Sequence, residues 1–273
     1  MPKKTNNTIQ PQRAKKSLGQ NFLRSPYILR SFVKSAEVKE GEWILEVGPG
    51  RGAITKELLG AGARVVAVEK DEVLAEALRE KFSYAVVDGS LIVVADDILH
   101  INPEEYFSGS YTIVGSIPYY ITGVFLRTAL AFSPQPQRIS LIIQKEVARR
   151  IVARDAKESI LSLSVKAFGD PAYIKTIKAK EFSPSPKVDS AILVISAVSD
   201  DFFNGFSKEE FFAAIKVAFS QKRKRAVTTL SMRYDKDTVV SLFERVGISQ
   251  NARAEDIALQ EWGKILYALS REE

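Results

Sequence analysis

From residue 43 to residue 144, short continuous apolar runs alternate with stretches whose apolar residues recur at helical spacing. The runs are Trp43–Val47, Val65–Val68, Leu91–Ala95, Tyr111–Gly115 and Arg138–Gln144. Runs that are apolar along their whole length suit strands of a parallel sheet covered on both faces. Helical stretches follow Gly52 and occupy Lys70–Phe82, Thr122–Phe132 and Lys145–Ala153. Ahead of the first run, Ser25 caps and Pro26 starts a predicted helix over 26–36. Beyond a helix at Ser159–Phe168, the runs Ala172–Lys180 and Ala191–Ala197 flank a proline-rich loop, which predicts an antiparallel hairpin closing the sheet. A polar, turn-rich stretch from Ser199 to Gly205 marks a boundary, after which helices are predicted over 208–221, 225–232, 237–246 and 254–269.

The first βαβ unit carries the chemistry. Its strand enters Gly48-Pro49-Gly50-Arg51-Gly52, a helix follows, and the second strand ends in Glu69. Glycines let backbone approach a ligand closely, the helix N-terminus offers N–H groups, and a terminal carboxylate can accept from ribose hydroxyls. A ligand-free tight turn is the plainer alternative. The ends of later strands are also polar: Lys70 follows Glu69, Asp96 and Asp97 end the third run, and Ser116-Ile117-Pro118-Tyr119-Tyr120 ends the fourth. In open α/β sheets these carboxyl ends line one rim, where ligands bind. The expected fold class is therefore α/β: a Rossmann-like domain over 18–198, a small all-α domain over 199–273, and a basic flexible tail over 1–17.

Gly48-x-Gly50-x-x-Ala53 also satisfies a loose dinucleotide fingerprint, so a nicotinamide dehydrogenase competes on this motif alone. Two residues weigh toward S-adenosylmethionine. Glu46 would repel a pyrophosphate but could serve an ammonium group, and Asp96 offers an acceptor for an adenine amine. Gln20 and Asn21, ahead of the unit, are either ordinary loop residues or a lid over it.

Composition narrows the partners. The absence of cysteine excludes disulfides and thiolate zinc sites, and the single His100, read as a surface loop residue, cannot build a histidine-rich metal centre. No metal is expected. No apolar run is long enough to span a bilayer, and Met-Pro-Lys-Lys does not begin a secretory signal, so a cytoplasmic protein is expected. The formal charge of +6 fits a polyanionic partner. Its candidate contacts are the tail, Arg149 with Arg150, and the run Lys222-Arg223-Lys224-Arg225, although a charge run is often only a solvated face.

Four motifs in order carry a resemblance. They are Gly19-Gln20-Asn21-Phe22-Leu23, Ser116-Ile117-Pro118-Tyr119, Gln144-Lys145-Glu146-Val147-Ala148, and Phe182-Ser183-Pro184-Ser185-Pro186-Lys187-Val188-Asp189-Ser190. Together they resemble the KsgA-type small-subunit rRNA adenine dimethyltransferases, over about residues 13–270. The resemblance implies a monomeric enzyme that moves methyl groups from S-adenosylmethionine to N6 of two adjacent adenosines. Those lie in a hairpin loop near the 3′ end of small-subunit rRNA, and the enzyme serves small-subunit biogenesis. It implies that Asn21 and Leu23 contact the cofactor, that Gly48 lines its methionine end, Glu69 its ribose and Asp96 its adenine, and that Phe182 lies beside the target base. The macrolide-resistance methyltransferases of large-subunit rRNA are similar; the Gln-Lys-Glu-Val run and the Pro-Lys-Val-Asp-Ser ending look more like the KsgA type. A weakly catalytic assembly factor is a further alternative.

The adenine amine is a poor nucleophile because its lone pair is delocalised into the ring. Acceptors that hold its hydrogens redirect that lone pair, and an aromatic side chain stacks on the base. In the resembled family the first motif position is Asn; here it is Ser116, shorter by one heavy-atom reach. The Ile117 and Pro118 carbonyls and Tyr119 remain.

Overall fold

The structure is a computed structural model that describes Lys15 and residues 19–271. Of the basic tail only Lys15 is among them; Lys3, Lys4, Arg13 and Lys16 lie outside the described residues.

In chain order the elements are β1 (Phe22–Leu23), α1 (Pro26–Ser35), β2 (Trp43–Val47), α2 (Ala53–Gly60), β3 (Arg64–Val68), α3 (Glu72–Lys81), α4 (Ser83–Val87) and β4 (Leu91–Val94). There follow β5 (Tyr111–Ser116), α5 (Thr122–Leu130), β6 (Arg138–Gln144), α6 (Lys145–Ile151), α7 (Ile160–Lys166), β7 (Asp170–Ile177), β8 (Phe182–Ser183) and β9 (Ser190–Ser196). Helices α8 (Lys208–Ala218), α9 (Ala226–Leu230), α10 (Lys236–Val246) and α11 (Leu259–Leu269) complete the chain.

The main sheet has the order β4-β3-β2-β5-β6-β9-β7. Strands β2 to β6 run parallel. The hairpin closes the sheet as the proline-rich loop predicts, and its second strand is the one inserted: β9 lies antiparallel between β6 and β7. The connection pattern reverses at β2, whose neighbours are β3 on one side and β5 on the other. That switch point opens a crevice at the carboxyl ends of the strands.

Because every central strand is covered twice, successive residues feed different cores. Leu45, Val47, Ile113, Leu141 and Ile143 join one apolar cluster. Ile44, Val65, Ala67, Val114 and Ile142 join the other, under Phe32 and Leu58. The first cluster continues past residue 199 without a break, through Phe203, Phe211, Phe243 and the fully buried Trp262. Phe168 and Phe203 meet with ring centroids 5.0 Å apart, and Phe203 and Phe211 at 5.7 Å. Burial of this kind, not local helix propensity, holds helices as short as α9.

Several boundaries differ from the predicted ones for local reasons. Helix α3 starts at Glu72, because the Asp71 side chain accepts from the Val73 amide as an N-cap. The last helix starts at Leu259 instead of 254. Asp256 accepts from the Arg253 amide and closes a separate turn, and Glu261 accepts from the Ala258 amide to open α11. The pairing of β1 with β8 has no counterpart in the sequence reading: Phe22 stands opposite Ser183 and Leu23 opposite Phe182. This two-residue ladder fastens the segment before α1 to the proline-rich loop.

Candidate active site

The crevice is a cavity of about 530 Å³, within the range of small-molecule sites. The glycine turn forms its floor. Gly50 has φ +56°, and a Cβ there would sit 2.8 Å from Cε1 of Phe22. Glycine is required by both the backbone and the ring that closes over it. The Arg51 guanidinium lies 4.5 Å from the same ring centroid. Gly48, φ +65°, lets the turn approach the next strand end: a Cβ there would lie 3.4 Å from the Ser116 carbonyl oxygen.

Glu69 is 7 % exposed at the end of β3. Its Oε2 accepts from the Gly50 amide at 3.0 Å and its Oε1 from the Asp71 amide at 3.0 Å. Burial raises its pKa, opposed by those two amides. Each oxygen retains acceptor capacity for a hydroxyl. Lys70 donates to Asp97 at 2.7 Å, and Asp97 caps the turn after β4 through the Leu99 amide at 3.1 Å. Asp96 Oδ1 accepts from the Asp97 amide at 2.6 Å.

The segment before α1 is latched over the glycine turn. Lys15 Nζ and Gln20 Nε2 donate to the two oxygens of Asp71, at 2.9 and 3.2 Å, and Gln20 Oε1 accepts from the Lys15 amide at 2.8 Å. Burial acts to raise the Asp71 pKa, but the Lys15 and Gln20 hydrogen bonds hold it below the usual carboxylate range. Asn21 donates to the Gly19 carbonyl at 3.0 Å, which shapes the turn into β1.

On the opposite wall, β5 ends in Ser116, and the chain turns through Ile117, Pro118 and Tyr119. The Tyr119 hydroxyl and Ser190 Oγ are 2.7 Å apart, which ties this loop to β9. Burial raises the Tyr119 pKa, so the phenol stays neutral. The neighbouring Asp189 accepts from Lys178 at 3.1 Å and from the Ala179 amide at 3.1 Å, and its carbonyl accepts from the Lys145 amide at 3.0 Å. The Asp-Ser ending and the start of α6 are thus one brace. Phe182, buried in β8, completes the wall.

Of the residues singled out in the sequence, Gln20, Asn21, Leu23, Gly48, Gly50, Glu69, Lys70, Asp96, Asp97, Ser116, Ile117, Pro118, Tyr119 and Phe182 all line this cavity. Glu46, expected beside an ammonium group, does not line it. Its side chain is 0 % exposed on the face of β2 covered by α2, and neither carboxylate oxygen has a hydrogen-bond partner among the described residues. Burial pushes its pKa up to about 8, with the nearby Thr55 acting in the opposite direction. One residue short of the strand end, the alternation of side chains turns it under the helix instead of into the crevice.

Ile98 and Leu99 also line the cavity and were not singled out by sequence reasoning; Tyr120, the last residue of the polar end of the fourth run, lines it as well. The signal for the first two was adjacency to Asp96 and Asp97. Arg149 and Lys222 come together in a second groove of about 1340 Å³, which Arg223, Lys224 and Arg225 do not line, although all four of 222–225 are exposed. Among the described residues no group of three or more His, Cys, Asp or Glu could hold a metal ion, and no helix is long and apolar enough to cross a membrane. His100 is exposed, 3.9 Å from Asp96.

A parallel sheet with one inserted antiparallel strand, a glycine turn at its switch point and acids at the next two strand ends define an α/β protein of the Rossmann-like methyltransferase class. The chain belongs to a particular family within it, the ribosomal RNA adenine dimethylases, whose profile matches residues 11–270. It is 36 % identical over 257 residues to a ribosomal RNA small subunit methyltransferase A of Dehalococcoides mccartyi strain CBDB1, covering 93 % of this chain and 87 % of the relative. Among solved structures it is similar to the 23S rRNA methyltransferase ErmE, with a TM-score of 0.74 and 25 % identity, covering 91 % of this chain and 99 % of the other. A dimethyladenosine transferase from Plasmodium falciparum shares the fold, with a TM-score of 0.78 at 21 % identity over 92 % of this chain and 98 % of that one.

Proposed function

We propose that the crevice binds S-adenosylmethionine and that the enzyme dimethylates N6 of two adjacent adenosines in the 3′-terminal hairpin loop of small-subunit rRNA, during small-subunit assembly. The observation that carries this reading is the single cavity shared by the glycine turn, Glu69 and Asp96 on one side and Ser116–Tyr119 with Phe182 on the other. The fit to the cofactor rests on the chain's own donor set. A Cβ-free turn admits a ligand against backbone, Glu69 offers acceptors for ribose hydroxyls, and Asp96 offers one for an adenine amine, with Ile98 and Leu99 as apolar neighbours. Bound there, the cofactor supplies an electrophilic methyl on a sulfonium.

The protein's part is to position and polarise the adenine amine. Ser116 and the Ile117 carbonyl accept its two hydrogens, so that the lone pair leaves conjugation with the ring, while the Pro118 carbonyl closes the following turn on the Ile121 amide. Tyr119, held by Ser190, and Phe182 supply aromatic surface for a base splayed out of its stack. Unstacking is easiest in a loop, which suits a hairpin target.

The large-subunit reading draws on the similarity to ErmE; the greater identity to the small-subunit methyltransferase favours the reading chosen here. Two assays test it together. Calorimetry separates the cofactors, with binding expected for S-adenosylmethionine and none for NAD. Radiolabel from S-adenosylmethionine is expected in unmodified small subunits; an enzyme that binds them without transferring label is an assembly factor instead.

A further inference from the structure

The crevice and the second groove share one residue, Tyr120. It belongs to the turn Tyr119–Ile121, closed by the Ile121 amide on the Pro118 carbonyl at 3.2 Å, so the backbone that carries the reactive loop also sets its position. The two adjacent tyrosines differ in setting. Tyr119 is tied to Ser190, whereas Tyr120 is 65 % exposed and its hydroxyl has no hydrogen-bond partner among the described residues. Its ring is propped from one side: a Cβ at Gly19 would lie 3.5 Å from its Cε1. Gly19 begins the segment that Gln20 and Lys15 latch to Asp71, so this support is itself anchored.

The groove that leads away from Tyr120 has a surplus of unpaired positive charge. Arg127, Arg149, Arg150 and Lys222 line it without an ion-pair partner among the described residues. Of its carboxylates, Glu158 is paired with Lys166 and Glu255 with Lys157, leaving Glu146 and Asp155. Unpaired cations along a groove suit a phosphate backbone, and an exposed ring at its end suits a base.

We propose that Tyr120 is a stacking platform for the nucleotide next to the adenosine undergoing reaction, with the strand's phosphates running along the Arg127–Arg149–Arg150–Lys222 groove. The proposal rests on the reading of the crevice as an rRNA adenine site. Flipping one base removes a stacking partner from its neighbour, and the Tyr120 ring replaces that partner. A ring face accepts any base, so the platform contributes affinity and placement, not base identity. Where two adjacent adenosines react in turn, it holds one while the other occupies the crevice.

The test is steady-state methyl transfer to unmodified small subunits at saturating S-adenosylmethionine, for wild type, Tyr120→Ala, Tyr120→Phe and Tyr120→Trp, with cofactor affinity measured by calorimetry. Tyr120→Ala is expected to raise KM for the subunit by about 5- to 100-fold, with the change in kcat and in cofactor affinity the smaller effect, since the ring also borders the crevice. The Phe and Trp variants keep a ring and are expected near wild type. Wild-type transfer with an unmoved KM in Tyr120→Ala overturns the platform alone, as does a Phe variant as impaired as Ala. A wild-type enzyme that transfers no methyl to the subunits overturns the function reading and the platform with it.

Discussion

Ser116 is the residue whose chemistry is most open to adjustment. Its hydroxyl stands where the resembled family has an amide oxygen, on a loop otherwise fixed by the Tyr119–Ser190 bond. If reach limits the hold on the amine, Ser116→Asn raises kcat by about 2- to 10-fold, the worth of one net hydrogen bond; an unchanged or lower kcat in single-turnover transfer removes Ser116 as the limit. The buried carboxyl of Glu46 bears on stability. Its folded pKa of about 8 stands above the ordinary carboxyl value of 4.5, so the folded state holds a proton that the unfolded state has released between those values. Stability from this group is full below pH 4.5 and is lost as pH rises through about 8. Thermal unfolding of wild type is therefore expected to weaken across that window, and Glu46→Gln to flatten the slope and gain on the order of a few kcal/mol at pH 8. Equal slopes in the two proteins would show that Glu46 does not hold the proton. Sequence spacing identified most of the crevice because strand ends share a rim. It did not show that Glu46 is buried away from the cavity lining, because the face a strand residue takes depends on which helix covers it.

Among the elements, the two-residue strands β1 and β8 do more than their length implies. They join the segment over the glycine turn to the loop bearing Phe182, and the Asp71 latch fastens the other end of that segment. Loosening the latch is expected to act on cofactor binding before chemistry. Gln20→Ala or Lys15→Ala should raise KM for S-adenosylmethionine by about 2- to 5-fold, since each removes one partly exposed hydrogen bond or ion pair, with kcat nearly unchanged. A fall in kcat at constant KM would show that the segment touches the reacting centre directly. Such short strands carry no periodicity, so the sequence offered no sign of their pairing. The seven strands of the main sheet, each with a longer apolar or alternating run, were legible, including the closing hairpin. Which hairpin strand would insert was not, because both runs are compatible with an edge or an interior place.

For the whole molecule, the apolar cluster that runs from the sheet into α8, α10 and α11 keeps the basic groove in register with the crevice. The charge cluster at 222–225 was visible in the sequence, but its division was not: only Lys222 reaches the groove, joined by arginines from α5 and α6 that are distant in sequence. The four phosphate contacts proposed for this groove imply that log affinity for subunits falls against log salt with a slope of about −3, and that Arg149→Ala with Arg150→Ala reduces its magnitude by about 1.4. Filter binding across salt concentrations measures both, and a slope unmoved by the double substitution would place the strand elsewhere. The most direct test of the account is the map of methylated nucleotides after the enzyme and S-adenosylmethionine act on unmodified ribosomal subunits, read by mass spectrometry of rRNA fragments. Two adjacent N6,N6-dimethyladenosines in the 3′-terminal hairpin loop of the small-subunit rRNA are the predicted result; methylation confined to large-subunit rRNA, or at any other small-subunit nucleotide, would contradict it.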